Sequence, residues 1–338
     1  MADAISNRPA GLLSTRVSFL DGFRGIAILL VLFEHLQTGY TGGYLSPLTH
    51  TGTHGVTIFF VLSGYLITSK LTEGEIQLKQ FYIRRFFRLM PAAWTYIALV
   101  LSVQLLLQVR LTSFCEISSC LFFYRNMIIP VSCGLLTHFW SLSLEEQFYL
   151  IWPTLLLFFG VRRCLWGAGL AAMACAAFRF YHWNQYYKLW VSFRSEVRAD
   201  AILIGCCLAL VILDSSIRNW IFRYSSYLMT ASLAVLCYCI MRFWWLPTLV
   251  ENISIAVLLA TCILNPGSLL ARALSFRPLV WLGTISYSVY VWQEIFLVRP
   301  VVIAQPYAPV MILFIAPLSY ILLEQPLTRL GRQISSHA

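Results

Sequence analysis

The apolar segment "SFLDGFRGIAILLVLFEHLQ", residues 18–37, carries Arg24 and His35 within what reads as a membrane helix. The two are eleven positions apart, so at about 100° per residue they share one face, about 16 Å apart along the axis. An ionisable group inside a span is costly and turns toward a bundle interior or a water-filled cavity. Imidazole is the side chain that most readily takes and gives a proton near neutral pH. A guanidinium grips phosphate or carboxylate through its planar fork. Taken singly, Arg24 as an end anchor and His35 as an interfacial hydrogen-bonding group are the plainer readings. The shared stripe favours a site.

Further polar groups stand in apolar surroundings. "FYIRRFFRLMPAAW", residues 81–94, brings Arg84, Arg85 and Arg88 together, as a positive flank of a span or as an anion site. "HFWSLSLEEQFYLIWP", residues 138–153, places His138, Ser141 and Glu145 on one helical face, with Glu146 about 100° away as a flank. A carboxylate that deep needs a partner: it could orient His35, pair with an arginine or bind hydroxyls, or be a purely structural ion pair. Arg198 and Asp200 open a later span, where Asp200 either contacts a polar substrate or pairs and caps locally. Ser286, Tyr287 and Tyr290 lie on another, where packing is the plainer role for a tyrosine. "HTGTH", residues 50–54, has metal-like spacing but no convincing third ligand, and no zinc spacing occurs elsewhere, so no metal is expected.

The elements that position these groups follow from composition. Of 338 residues 59% are hydrophobic and 11% charged, more apolar surface than a soluble domain can bury. Apolar runs of spanning length fall at 19–37, 55–70, 91–109, 139–160, 164–181, 199–213, 224–241, 247–264, 279–298 and 303–323. A weaker piece at 114–128 holds Glu116 and Arg125 and is not expected to cross. With ten spans and both termini cytoplasmic, fifteen Lys and Arg fall inside and seven outside, as the positive-inside rule requires. The net charge of +10 is then loop charge and needs no nucleic-acid partner. The reading is an all-α polytopic membrane protein of about ten transmembrane helices around a central cavity. It divides into a cytoplasmic segment 1–17, a membrane domain 18–330 and a cytoplasmic tail 331–338. No cleavable signal and no second soluble domain are expected. Most of the ten cysteines read as small core residues; two of Cys115, Cys120 and Cys133 could pair if their region meets an oxidising compartment. Glu324 and Pro326 are expected to pin and end the last helix.

The motifs above, with "GVTIFFVLSGYLIT" (55–68), "RADA" (198–201), "SYSVYVWQ" (286–293) and "LLEQP" (322–326), come in an order that resembles the membrane-bound acyltransferase family 3, over about residues 18–330. The family includes O-antigen and other surface-sugar O-acetyltransferases. The resemblance implies transfer of an acyl group, commonly acetyl from acetyl-CoA, to a hydroxyl of a carbohydrate, a lipid-linked sugar or a macrolide-like acceptor. CoA would be a donor substrate rather than a permanently bound cofactor. The family's arginine–ten residues–histidine motif matches Arg24 and His35, and its arginine–two residues–arginine motif matches Arg85 and Arg88. A histidine common near the end of the "SYSVYVWQ" block is Gln293 here.

On that resemblance His35 is expected as general base, with Arg24 and Glu145 beside it; a covalent acyl-histidine stays open. Arg84, Arg85 and Arg88 would receive the CoA phosphates. Ser141, Arg198, Asp200 and Tyr287 are candidates for the acceptor side, along with loops 38–54, 110–138 and 182–198. The implied location is the cytoplasmic (inner) membrane, in contact with lipid. A secondary transporter, or a non-catalytic partner of a surface-polysaccharide assembly complex, are the rival classes. No pairing of helix breaks between two halves supports the transporter.

Overall fold

A computed structural model describes residues 17–41, 51–74, 77–128, 134–182, 193–242, 248–297 and 307–336. His50, Cys133 and most of the 38–54 and 182–198 loops lie outside them. The described residues are almost wholly helical, with no strand among them. Backbone groups inside a bilayer must be satisfied within the chain, which favours helices.

The chain runs through α1 (Ser18–Thr41), α2 (Thr51–Leu71), α3 (Leu78–Leu107), the short α4 (Phe114–Leu121) and the long α5 (Phe139–Tyr181). There follow α6 (Ser195–Val211), α7 (Ser215–Arg223), α8 (Ser225–Arg242) and α9 (Leu249–Leu264). By length and composition Thr51–Leu71, Leu78–Leu107, Phe139–Tyr181 and Ala308–Ser336 can each cross a membrane; α6 with α7, bent by 104°, makes a fifth candidate.

The 43 residues of α5 are not one rod. Gly160, at φ 71° and ψ 172°, holds a conformation essentially restricted to glycine. Beyond it the Cys164 thiol lies 3.4 Å from the Leu155 carbonyl oxygen. A straight helix would hold residues nine apart about 13.5 Å from one another. The chain therefore turns back on itself, separating 139–159 from 161–181, close to where the apolar runs divide.

Elsewhere the boundaries depart from the apolar runs. Helix α3 begins thirteen residues before the run expected at 91–109, because the arginine-bearing first turns are amphipathic and a hydropathy window does not register them. The 114–128 piece contains an eight-residue helix, too short to cross, closed by a reciprocal cap between Ser113 and Glu116. Glu116 also accepts from the buried Arg125 at 3.1 Å. Cys115 and Cys120 are both free thiols, and burial pushes the Cys120 thiol up to about 12.

After the short α10 (Leu269–Leu274), the run at 279–298 is broken into α11 (Arg277–Thr284), α12 (Ser286–Trp292) and α13 (Glu294–Leu297). Irregular backbone at such a depth is tolerated where protein or a cavity surrounds it. The last helix does not end at Glu324 and Pro326 as expected. α14 (Ala308–Ser319) passes through a π-helical turn (Tyr320–Glu324) into α15 (Gln325–Ser336). Pro326, lacking an N–H, falls in the first turn of α15, where its missing donor is tolerated. Glu324 is pinned, as its carboxylate accepts from Ser288 of α12.

Helices α2 and α6 touch backbone to backbone. A Cβ on Gly64 would meet the Ile202 carbonyl oxygen at 2.0 Å, and one on Gly205 the Val61 oxygen at 2.1 Å. Small residues at a crossing are how membrane helices pack closely. Gly64→Val or Gly205→Val is therefore expected to cost about 3 kcal/mol of stability, read as a fall in detergent-solubilised thermal midpoint; an unchanged midpoint would refute the close crossing.

Candidate functional site

A cavity of about 450 Å³ opens between α1, α2, α3, α5 and α12. One side is cationic. Arg24 comes from α1, Lys70 from the end of α2, and Arg84, Arg85 and Arg88 from the first turns of α3, where spacings of three and four put them on one side of the helix. Arg24 donates to Asp21 at 2.9 Å within its own helix. Close contact at Gly283 of α11, where a Cβ would meet the Asp21 carbonyl oxygen at 1.7 Å, fixes this turn.

The three α3 arginines differ in what already holds them. Arg84 donates to Ser335 of α15 at 2.7 Å. Arg85 donates to Glu146 at 3.3 Å, and its guanidinium lies 3.2 Å above the Tyr149 ring. Arg88 is exposed into the cavity and has no hydrogen bond or ion pair among the described residues. It is the cation most available to an anionic ligand.

Across the cavity lie Ser63, Ser141, Glu145, Ser286, Tyr287 and Tyr290. Ser63 donates to Glu145 at 2.8 Å, so this carboxylate serves the cavity and not His35. Tyr287 donates to the Leu89 carbonyl at 2.6 Å. Ser141 and Tyr290 share a hydrogen bond of 2.5 Å, and Tyr290 also donates to the His138 carbonyl at 3.1 Å.

His35 does not line this cavity. Its Nδ1 lies 3.1 Å from the Val31 carbonyl, one helical turn back, and its Nε2 lies 3.9 Å from Glu294 Oε1. Glu294 Oε2 in turn lies 3.4 Å from His138 Nδ1. Tyr290, which lines the cavity, is edge-on to His138 at 5.6 Å and so links the cavity wall to the His138 end of a His35–Glu294–His138 row. Arg24 and His35 share a helix face, yet only Arg24 reaches the cavity.

Arg198 and Asp200 stand apart from both groups. Arg198, 3% exposed, donates to the Thr53 carbonyl and to Thr57, each at 3.1 Å. Asp200 pairs with Arg179 through two contacts of 2.5 and 3.3 Å, both side chains buried. Removing one partner of such a pair strands the other charge. Asp200→Ala is expected to destabilise by about 3–5 kcal/mol, with part of the loss recovered when Arg179→Met is added; equal thermal midpoints for wild type and Asp200→Ala would contradict this.

The "HTGTH" stretch holds a different pair: His54 Nδ1 lies 2.7 Å from Glu251 Oε1, both buried. Among the described residues no group of three or more His, Cys, Asp or Glu is placed to hold a metal ion.

Sequence reasoning did not find Glu294, Ser63 or Lys70. Glu294 had a signal: it is the single acidic residue of the 279–298 run, and an intramembrane carboxylate is a site candidate by default.

A row of cations facing hydroxyls and a carboxylate inside a helical bundle suits an anionic substrate undergoing group transfer. The family profile described as "Acyltransferase domain", of the acyltransferase 3 family, matches residues 17–324. The chain belongs to this family. The chain is 33% identical over 359 aligned positions to the peptidoglycan O-acetyltransferase OatA of Listeria monocytogenes, covering 93% of this chain and 56% of that protein. It is 31% identical to the "Putative peptidoglycan O-acetyltransferase YrhL" of Bacillus subtilis, covering 92% and 55%. The chain thus spans about half the length of these relatives. No solved structure matches it.

Proposed function

We propose that this acyltransferase moves an acetyl group from acyl-CoA to a hydroxyl of a carbohydrate acceptor, as an integral protein of the cytoplasmic membrane with ten spans and both termini inside. The observation that carries the donor assignment is the cationic wall, Arg24, Lys70, Arg84, Arg85 and Arg88, around one cavity. Arginine recognises phosphate by paired donors, and lysine as a point charge. The relatives' names support a cell-wall carbohydrate as the acceptor class.

In this reading the CoA phosphates rest on Arg85, Arg88 and Arg84, with the acyl arm running toward Ser141 and Tyr290. The thioester must pass beyond this end of the cavity to reach His35, which does not line it. The acceptor oxygen attacks the thioester carbon and its proton passes to His35 Nε2, because Nδ1 is engaged by the Val31 carbonyl. The tetrahedral intermediate collapses, the C–S bond breaks, and the proton returns from His35 to the departing sulfur. Glu145, held by Ser63, orders the cavity wall. The test is transfer of labelled acetyl from acetyl-CoA to a peptidoglycan fragment by the purified protein: base-labile acetate on the glycan supports the reading, and thiol release without any ester on a carbohydrate panel overturns the acceptor class.

A further inference from the structure

We infer that Glu294 is the positioning residue for His35, and that His138 holds Glu294 in that role. The inference deepens the proposed reaction and rests on the reading of His35 as its base. Glu294 is 2% exposed and belongs to the last segment of a helix broken at Gln293. A buried carboxylate is retained only where charge or hydrogen bonding compensates it. Among the described residues, the groups within ion-pair reach are two imidazoles, one at each oxygen: His35 Nε2 at 3.9 Å and His138 Nδ1 at 3.4 Å.

Burial is deepest at the His138 end of this row; the His35 side chain is 27% exposed, and its approach to Glu294 is an ion-pair distance rather than a hydrogen bond. His138 is 2% exposed, and neither of its ring nitrogens makes a hydrogen bond among the described residues. Tyr96 presents an edge-on contact to His138 at 5.3 Å and to Trp292 at 5.6 Å, so the His138 end of the row is packed among aromatic rings. Charges interact more strongly where water is excluded.

Proton transfer to His35 turns a neutral ring into an imidazolium beside Glu294, whose Oε1 lies 3.9 Å from Nε2. As that proton arrives, Nε2 becomes a donor and the imidazolium acquires a counter-charge already in place. The compensation therefore grows as the transition state forms, which lowers the barrier rather than merely tightening binding. Glu294 touches neither donor nor cavity; it acts through His35.

The experiment compares Glu294→Gln, Glu294→Asp, His138→Gln and Glu294→Gln/His138→Gln with wild type and His35→Ala, reading kcat, KM and direct acetyl-CoA binding. Glu294→Gln keeps the shape and removes the charge: kcat should fall about 10- to 100-fold with acetyl-CoA binding unchanged. Glu294→Asp should restore at least half of that loss on a logarithmic scale. His138→Gln should cost less, and the double variant no more than Glu294→Gln alone, because residues acting as one unit are not additive. The inference is overturned if Glu294→Gln turns over like wild type, if Asp and Gln are equally impaired, if acetyl-CoA binding is lost with kcat, or if the two losses multiply. An active His35→Ala would instead remove the base reading itself. An inactive His35→Ala beside a fully active Glu294→Gln would remove only the role of Glu294.

Discussion

His35→Ala should retain acetyl-CoA binding and lose acetyl transfer by about 10²–10⁴-fold, the range that a positioned general base contributes. That corresponds to about 3–5 kcal/mol of barrier at about 1.36 kcal/mol per tenfold. The separation of the two readouts follows from the geometry: His35 is not among the residues lining the cationic cavity, so truncating the imidazole leaves the donor contacts in place. His35→Gln should fail equally, since an amide cannot take the proton. Transfer within a fewfold of wild type in either variant would remove both the base and the acyl-histidine alternative.

The arginines of α3 should show the opposite pattern, and not equally. Charge-assisted hydrogen bonds contribute about 1.5–3 kcal/mol each, so Arg88→Ala should weaken acetyl-CoA by about tenfold or more. Stability should hardly change, because Arg88 has no partner to strand among the described residues. Arg85→Ala differs, since Arg85 pairs with Glu146 and covers the Tyr149 ring; its loss leaves a half-buried carboxylate uncompensated and lowers the thermal midpoint as well. Arg85→Ala/Arg88→Ala should weaken binding by at least about 10²-fold. Added salt should weaken wild-type binding too, as expected for ionic contacts. Binding by the double variant at wild-type strength would place the donor elsewhere.

Much of this site was legible because buried charge in an apolar chain is conspicuous. Arg24, Glu145 and the α3 arginines could be singled out from type and spacing, and the structure collects them around one cavity. The shared face of Arg24 and His35 was equally legible, but helical spacing cannot show that the cavity takes in Arg24 and leaves His35 out. The partner of His35 was hidden for the same reason. Glu145 lies on the expected face yet meets Ser63, whereas it is Glu294, from a distant run, that approaches His35. Asp200, which could be read toward a substrate, is held by Arg179, twenty-one residues away across the 182–198 connection. Reversal at Gly160 was anticipated by the arginine pair 162–163, which interrupts the apolar run; the π turn at 320–324 left no periodic trace.

The most direct test of the account is equilibrium binding of labelled acetyl-CoA to the purified wild-type protein in lipid nanodiscs, followed in the same sample by thiol release on adding a carbohydrate acceptor. Saturable binding competed by free CoA, weakened by Arg88→Ala, with thiol released in step with ester formed, is the expected result. A protein that neither binds nor cleaves acetyl-CoA, while moving a small solute across the membrane, would make the polar interior a permeation path and contradict the acyl-transfer reading.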